Sequence, residues 1–390
     1  MDHLINKRVK GIKISGIRDV ANRVADDPSI INFTIGQPDF ATPQPIIEAG
    51  KAALDGQLTG YTHNAGLLQL RQAVSDYMAR RYQLHYRAED EILITTGASE
   101  ALDIAFRTIL EEGDEVILPA PIYPGYEPLI RLCNAEPVFV DTRENRFKMT
   151  AKMIEEKITE RTKCIVLPYP SNPGGSLLDE EELKDIADLL SDKEIFIVSD
   201  EIYSELTYGK KHRSIAAFPE MKEKTIIING LSKSHAMTGW RLGFTLAPSY
   251  LTAEMLKVHV FNCVCASSLS QYAALAALER DLPEVDAMRR EYEVRRDYIV
   301  GRITDMGLDI IRPDGAFYLF ISIDKTGLSS NQFTNRLIKE GKVAVIPGNA
   351  FSDYGEGYIR ISYACSMENL EEGLNRMEQF IKNLTGTVVQ

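Results

Sequence analysis

The chain carries only five cysteines, Cys133, Cys164, Cys263, Cys265 and Cys365, among 390 residues. An odd, sparse set excludes a disulfide framework and fits a reducing, cytoplasmic compartment. Cys263 and Cys265 form a C-x-C with no second ligand pair nearby. They are expected to be buried free thiols, and no metal centre is expected. The histidines, His63 and His212 among them, are not spaced as metal ligands either. Basic residues are in deficit. The formal net charge is −12, which argues against nucleic-acid backbones and acidic membrane surfaces as partners. No apolar run reaches the roughly 18 residues that a membrane span needs. The opening stretch MDHLINKRVK has no apolar core and does not read as a secretory signal. Any anionic ligand must therefore be held by a few local cations and by backbone dipoles.

What is present is enough apolar material, 44% of residues, for a large core. At roughly 150 residues per domain, the length suggests two or three domains. Short runs rich in β-branched residues and leucine stand at Ile92–Thr95, Glu115–Leu118, Cys164–Leu167, Ile195–Val198 and Thr225–Ile228. Continuous apolar runs of this kind suit strands buried on both faces. Helical patterns lie between several of them. Ser99–Leu110 puts Leu102, Ala105, Phe106 and Ile109 on one face, and Asp179–Leu190 does the same with Leu183, Ile186 and Leu190. The expected fold class is α/β, with a mainly parallel central sheet flanked by helices. After about Leu282 the pattern changes. A long charged amphipathic helix over Pro283–Met306 precedes strands with one polar face at Ala316–Ile323, Val343–Ile346 and Tyr358–Tyr363. A smaller α+β domain is expected there. The resulting division is an N-terminal segment over residues 1–45 that crosses back to the small domain, a large domain over 46–282 and a small one over 283–390.

Open parallel sheets bind ligands at the C-terminal ends of their strands, so the residues just past each run are informative. Ile92–Thr95 leads through Thr96-Gly97-Ala98-Ser99-Glu100 into a helix. Small residues there let backbone N–H groups and the helix dipole meet a phosphate, although such residues also serve as ordinary caps. Ile195–Val198 ends in Ser199-Asp200-Glu201-Ile202-Tyr203. Asp200 either caps the next element or pairs with a cationic ring nitrogen, and Tyr203 could donate to a ring oxygen. Thr225–Ile228 ends in Asn229-Gly230-Leu231-Ser232-Lys233. A lysine beside a buried strand is costly when charged, which lowers its pKa and makes its amine nucleophilic. Arg241 follows in Met237-Thr238-Gly239-Trp240-Arg241-Leu242-Gly243, and its planar fork suits phosphate.

In this order the motifs resemble the class I/II aminotransferases, the fold-type I enzymes that use pyridoxal 5'-phosphate. The resemblance runs from Ile35-Gly36-Gln37-Pro38-Asp39-Phe40 to Arg360-Ile361-Ser362-Tyr363 and is most specific over Asn229 to Gly243. It implies that Lys233 carries the cofactor and shuttles a proton, with Asp200 and Tyr203 completing the catalytic set. Asp200 pairs with the pyridine nitrogen, and Tyr203 and Asn172 hold the ring oxygen. Tyr123 stacks on the ring. Gly97, Ala98, Ser99, Ser232 and Arg241 hold the phosphate. Tyr61 is implied to reach the phosphate of a neighbouring subunit, which makes a homodimer with shared sites the expected assembly. Arg360, with Asn172 and the Gly36 backbone, is implied to clamp the substrate carboxylate. Asn172-Pro173 and Ala120-Pro121 match positions where the family often has cis bonds.

The departure from the pattern is Gly230, where many relatives place a phosphate-binding serine. One phosphate hydrogen bond is therefore expected to be missing or water-mediated. The implied reaction is transfer of an amino group from an L-amino acid to a 2-oxo acid, 2-oxoglutarate being the expected acceptor, through a ping-pong cycle. Within the family the chain looks most like the bacilli-type branch associated with N-acetyl-LL-diaminopimelate in lysine synthesis. Aromatic, aspartate and alanine donors stay open, as does C–S β-elimination on the same fold. The substrate side chain is expected to meet Ile17, Arg18 and Ile35. His63 is a possible neighbour of the site, and His212, in a basic stretch, is expected in a solvated loop. A regulator fused to a DNA-binding module is disfavoured, because the matching region begins within about 35 residues of Met1 and the chain is acidic.

Overall fold

A computed structural model describes residues 1–14 and 16–386. The short strand β1 (Ile31–Asn32) belongs to a two-stranded sheet, and the next seven strands build the centre of the molecule. These are β2 (Ile92–Thr95), β3 (Glu115–Ala120), β4 (Glu136–Asp141), β5 (Thr162–Leu167), β6 (Phe196–Asp200), β7 (Thr225–Gly230) and β8 (Gly243–Leu246). Their order across the sheet is β2-β8-β7-β6-β5-β3-β4. The four pairings from β4 to β7 are parallel, while β8 runs antiparallel to both β7 and β2. Two reversals cancel, so β2 points the same way as β7 and delivers its C-terminal end to the same edge. Ile92, Leu93, Ile94, Ile226, Ile227 and Ile228 are fully buried, as expected of strands covered by helices on both faces.

All five strands read from the apolar runs form: Ile92–Thr95 keeps its bounds, and the other four shift or extend by one to two residues. Two strands are additional. β4 is an edge strand that contains Pro137, a residue tolerated only where no ladder N–H is needed. β8 begins at Gly243, directly behind the Arg241 motif. Of the expected X–Pro sites, Ala120–Pro121 and Asn172–Pro173 are both cis, and Tyr169–Pro170 is a third.

The C-terminal part is built on a second, antiparallel sheet. β9 (Tyr318–Ser322) and β11 (Ile346–Pro347) flank β12 (Tyr358–Ser362), while β10 (Val343–Ala344) pairs with β1 in parallel. The apolar run at 343–346 is thus split between two sheets. Helices Pro283–Asp305 and Met367–Gly386 share a core with this sheet, in which Tyr292, Ile299, Phe333, Leu370 and Leu374 are buried. The strands here were expected to show one polar face. That face is buried: Arg360 is 1% exposed and Ser362 2%. Its polar side chains line a cavity.

The helix Pro283–Asp305 also turns charged residues inward. Arg295 forks onto Asp39 at 2.9 and 2.8 Å and reaches Glu291 at 3.0 Å. Tyr292 donates to the same Asp39 at 3.1 Å. This pair ties the 36–40 loop to the C-terminal core and sets where Gly36 lies. Replacing Asp39 by alanine strands a buried guanidinium. The expected loss is about 1–2 kcal/mol of stability, below the roughly 3–5 kcal/mol of a fully buried pair because Glu291 and water remain available. A lower thermal midpoint of the D39A holoenzyme, partly recovered in Asp39→Ala/Arg295→Met, is the measurable outcome. An unchanged midpoint would show that this pair does not hold the loop.

Candidate active site

The strand ends converge on one cavity of about 600 Å³. β6 places Asp200 at its floor. The carboxylate is buried, accepting from the Tyr126 hydroxyl at 2.6 Å and from the Ile202 N–H at 3.2 Å. Burial raises its pKa, and the two hydrogen bonds and Lys233 only partly oppose that. Three residues past the end of β7, Lys233 points its Nζ at the Gly36 carbonyl, 2.7 Å away. Burial lowers the pKa of this amine to about 8. The positive charges of Arg360 and Arg241 add to the effect, and Asp200 opposes it. A lysine so placed spends an appreciable fraction of its time as a free amine near neutral pH.

One end of the cavity is shaped for phosphate. The helix Gly97–Ile109 begins there, with Ala98 and Ser99 on the wall and Ser232, Thr238 and Gly239 opposite. Gly97 sits at φ +79°, and a Cβ on it would lie 2.7 Å from Arg241 Nη2. The missing side chain is what lets the guanidinium lie against the start of the helix. Arg241 is itself held in the left-handed region and donates to the Thr238 carbonyl at 3.0 Å.

The opposite end is shaped for a carboxylate. Arg360 donates to the Thr34 carbonyl at 2.7 Å and to Asn172 Oδ1 at 3.2 Å. Its guanidinium stacks 4.4 Å from the Tyr318 ring and 5.1 Å from that of Phe351. Its Nε, buried, has no hydrogen-bond partner, and among the described residues no carboxylate lies within ion-pairing distance. A buried cation with an open donor is a receptor for an incoming anion. Between the two ends, the Tyr203 and Tyr318 hydroxyls bond at 2.8 Å. Tyr123 packs edge-on against Tyr126.

The structure therefore brings together Gly36, Ala98, Ser99, Tyr123, Asn172, Asp200, Tyr203, Ser232, Lys233, Arg241 and Arg360, along with Ile17, Arg18 and Ile35. Gly97 lies just behind the wall, against Arg241. Tyr61 does not line the cavity and is 85% exposed. His63 is also outside, its Nδ1 accepting from the Ala65 N–H. Tyr126, Tyr318 and Thr34 were missed. Tyr126 stands three residues after Tyr123 in Tyr123-Pro124-Gly125-Tyr126, a pair that a helix start brings together. Tyr318 and Thr34 carry no motif.

Two expectations are corrected. His212 is not solvated. Its side chain is 4% exposed, with Nε2 2.9 Å from Glu201 Oε2, and it packs edge-on to Tyr82. Cys263 and Cys265 are half-buried rather than buried. Gly230 ends β7. It lies outside the cavity wall, and a Cβ there would face Gly243 Cα at 3.0 Å and the Leu242 carbonyl at 3.1 Å. The absent side chain serves close packing of β7 on β8.

Comparison with known proteins agrees with this geometry. The family model described as aminotransferase class I and II matches residues 28–377. A Bacillus subtilis protein named probable N-acetyl-LL-diaminopimelate aminotransferase is 55% identical, over 98% of this chain and 96% of its own. The aromatic-amino-acid aminotransferase 2 of Thermococcus litoralis is 41% identical, over 97% of this chain and 98% of its own. The solved aspartate aminotransferase from Thermus thermophilus with maleate has a TM-score of 0.92 at 33% identity, covering 96% of this chain and 99% of that one. β-Elimination as the main reaction is not favoured by these relatives. The chain belongs to the class I and II aminotransferases, pyridoxal-phosphate-dependent enzymes that transfer amino groups.

Proposed function

We propose that this aminotransferase exchanges the amino group of N-acetyl-LL-diaminopimelate with 2-oxoglutarate, in the cytoplasm, as a homodimer. The observation that carries the substrate is the 55% identity, over nearly all of both chains, to the Bacillus subtilis protein of that name. The cavity is compatible with it. Both partners bear a second carboxylate far from the reacting carbon, and Arg18 lines the mouth beside Ile17 and Ile35. Among the described residues, no carboxylate pairs with Arg18. The dimer is supported by Tyr61, 85% exposed, and Phe261, 92% exposed. Both are large rings left open to water in a single chain. The boundaries near residues 45 and 282 belong to the same proposal.

The donor set fits pyridoxal phosphate. Arg241, Ser99, Ser232 and the helix start at Gly97 suit its phosphate. Asp200 suits its ring nitrogen, Tyr203 and Asn172 its ring oxygen, Tyr123 its face and Lys233 its aldehyde. When bound, the cofactor supplies an electron-withdrawing ring that takes up the electron pair released at the substrate Cα. The protein's own groups do the rest. Arg360 and Asn172 fix the substrate carboxylate, which orients the Cα–H bond. The Lys233 amine, kept partly unprotonated by burial, removes the proton at Cα and returns it elsewhere. Tyr126 holds the Asp200 carboxylate in place by donating to it, where it would pair with a protonated ring nitrogen. After release of the 2-oxo product, the same residues run the steps backwards on 2-oxoglutarate, which makes the cycle ping-pong.

Two outcomes follow. In a screen of L-amino donors with 2-oxoglutarate, N-acetyl-LL-diaminopimelate should give a kcat/KM at least about tenfold above aspartate and phenylalanine. Arg18→Leu should remove most of that preference, since losing one charge-assisted contact costs about 1.5–3 kcal/mol. Equal rates for all donors would sink the substrate assignment while leaving aminotransfer intact. For Lys233, a pKa lowered to about 8 means the reactive free amine accumulates as pH rises through that value. The rate of cofactor uptake by the apoprotein, followed by absorbance, should climb with a midpoint near pH 8 and level off about one unit above it. A climb continuing towards pH 10 would mean that burial does not depress this amine.

A further inference from the structure

Away from the cavity, Glu100, His259 and Cys263 point their ligating atoms at one another, all within 4.8 Å. His259 and Cys263 stand four residues apart in the last turns of the helix Ser249–Cys263, a spacing that puts both on one face. Glu100 comes from the first turn of the neighbouring helix Gly97–Ile109. We propose that these three side chains form a binding site for a borderline-soft divalent cation, zinc being the best match.

The geometry is close to what the ion requires. In a tetrahedral zinc site with bonds of about 2.0–2.3 Å, neighbouring ligand atoms stand roughly 3.3–3.6 Å apart. Here Glu100 Oε1 is 2.8 Å from His259 Nδ1 and 3.2 Å from Cys263 Sγ, and Sγ is 3.7 Å from Nδ1. Shifts of about 0.5 Å or less convert one arrangement into the other. Thiolate, imidazole and carboxylate are the ligand types that zinc takes from proteins, and three of them leave a fourth position for water. The Thr96 hydroxyl, 3.6 Å from Sγ, flanks that side.

The groups are also held in place. The His259 side chain is fully buried and that of Glu100 is 11% exposed. The second carboxylate oxygen of Glu100 accepts from the Thr96 N–H, an outer contact of the kind that orients metal ligands. Without an ion, Glu100 Oε1 accepts from both His259 Nδ1–H and Cys263 S–H, and the thiol is inert: burial, reinforced by Glu100, raises its pKa to about 11. Binding sends the thiol proton to solvent and moves the imidazole proton from Nδ1 to Nε2. Cys265, two residues on, is not part of the cluster.

Position gives the site a consequence. Thr96 and Glu100 bracket Gly97, Ala98 and Ser99, which form the phosphate end of the cavity, so an ion would pin that first helical turn from behind. The test uses the holoenzyme, dialysed with zinc and then against metal-free buffer. It should retain about one zinc per chain, a single three-ligand site. Cobalt in its place should give a sulfur-to-cobalt band in the difference spectrum against Cys263→Ser. Cys263→Ser and His259→Gln should each weaken binding more than tenfold, since loss of a mere outer partner already costs about 10–100-fold. Cys265→Ser should leave band and stoichiometry unchanged. Native enzyme that retains no zinc above buffer, or Cys263→Ser and His259→Gln variants that retain as much as native, would overturn the proposal.

Discussion

Positive charge drawn into one cavity of an acidic protein is the constraint around which the rest of the structure is arranged. The chain has a formal charge of −12, yet Lys233, Arg241, Arg360 and Arg18 all face the same space, and among the described residues Asp200 is the one acid on its wall. Arg18 and Arg241 keep exposed sides, but burial makes the charge costly for Arg360 and Lys233. Arg360 is sustained by a carbonyl, an amide oxygen and two aromatic rings rather than by a carboxylate. Lys233 meets the cost by giving up part of its charge. Both arrangements leave an unmet demand for anions, which a phosphate at one end and a carboxylate at the other would answer.

The sheet explains how residues so far apart in sequence meet. β6 and β7 are parallel neighbours, so Asp200 and Lys233 emerge at the same edge. β8 turns back between β7 and β2 and brings Arg241 against the helix start that follows β2. The carboxylate end is supplied from elsewhere: Arg360 by the second sheet, Asn172 by the loop after β5 and Thr34 by the segment after β1. The Asp39–Arg295 fork anchors that last segment to the C-terminal core. The two ends of the cavity thus draw on different parts of the fold.

Much of this was legible beforehand, for a physical reason. Strands covered on both faces must be continuously apolar, so Ile92–Thr95 and Thr225–Ile228 announce themselves, and the polar residues at their ends stand out by contrast. β4 was hidden because an edge strand tolerates exposed residues and a proline. β8 was hidden because its first residue closes the Arg241 motif, which was read for its chemistry and not for a strand. Tyr126 and Tyr318 were missed because a tyrosine that donates to a buried acid or to another tyrosine looks, in sequence, like any core aromatic. His212 misled through its neighbours: Lys210, Lys211 and Arg213 reach outward, but its own ring turns in towards Glu201. Local charge says little about which way one side chain in a loop faces.

The unpartnered Nε of Arg360 has an implication for selectivity. A guanidinium with a vacancy accepts the carboxylate of any small acid, whether or not that acid carries an amine or a carbonyl. Recognition at this end would therefore admit bystanders along with substrates. The two would be told apart afterwards, by whether the guest holds an amine or a carbonyl that can react. Unreactive acids of the cell would slow such an enzyme by occupancy alone, in proportion to their concentration.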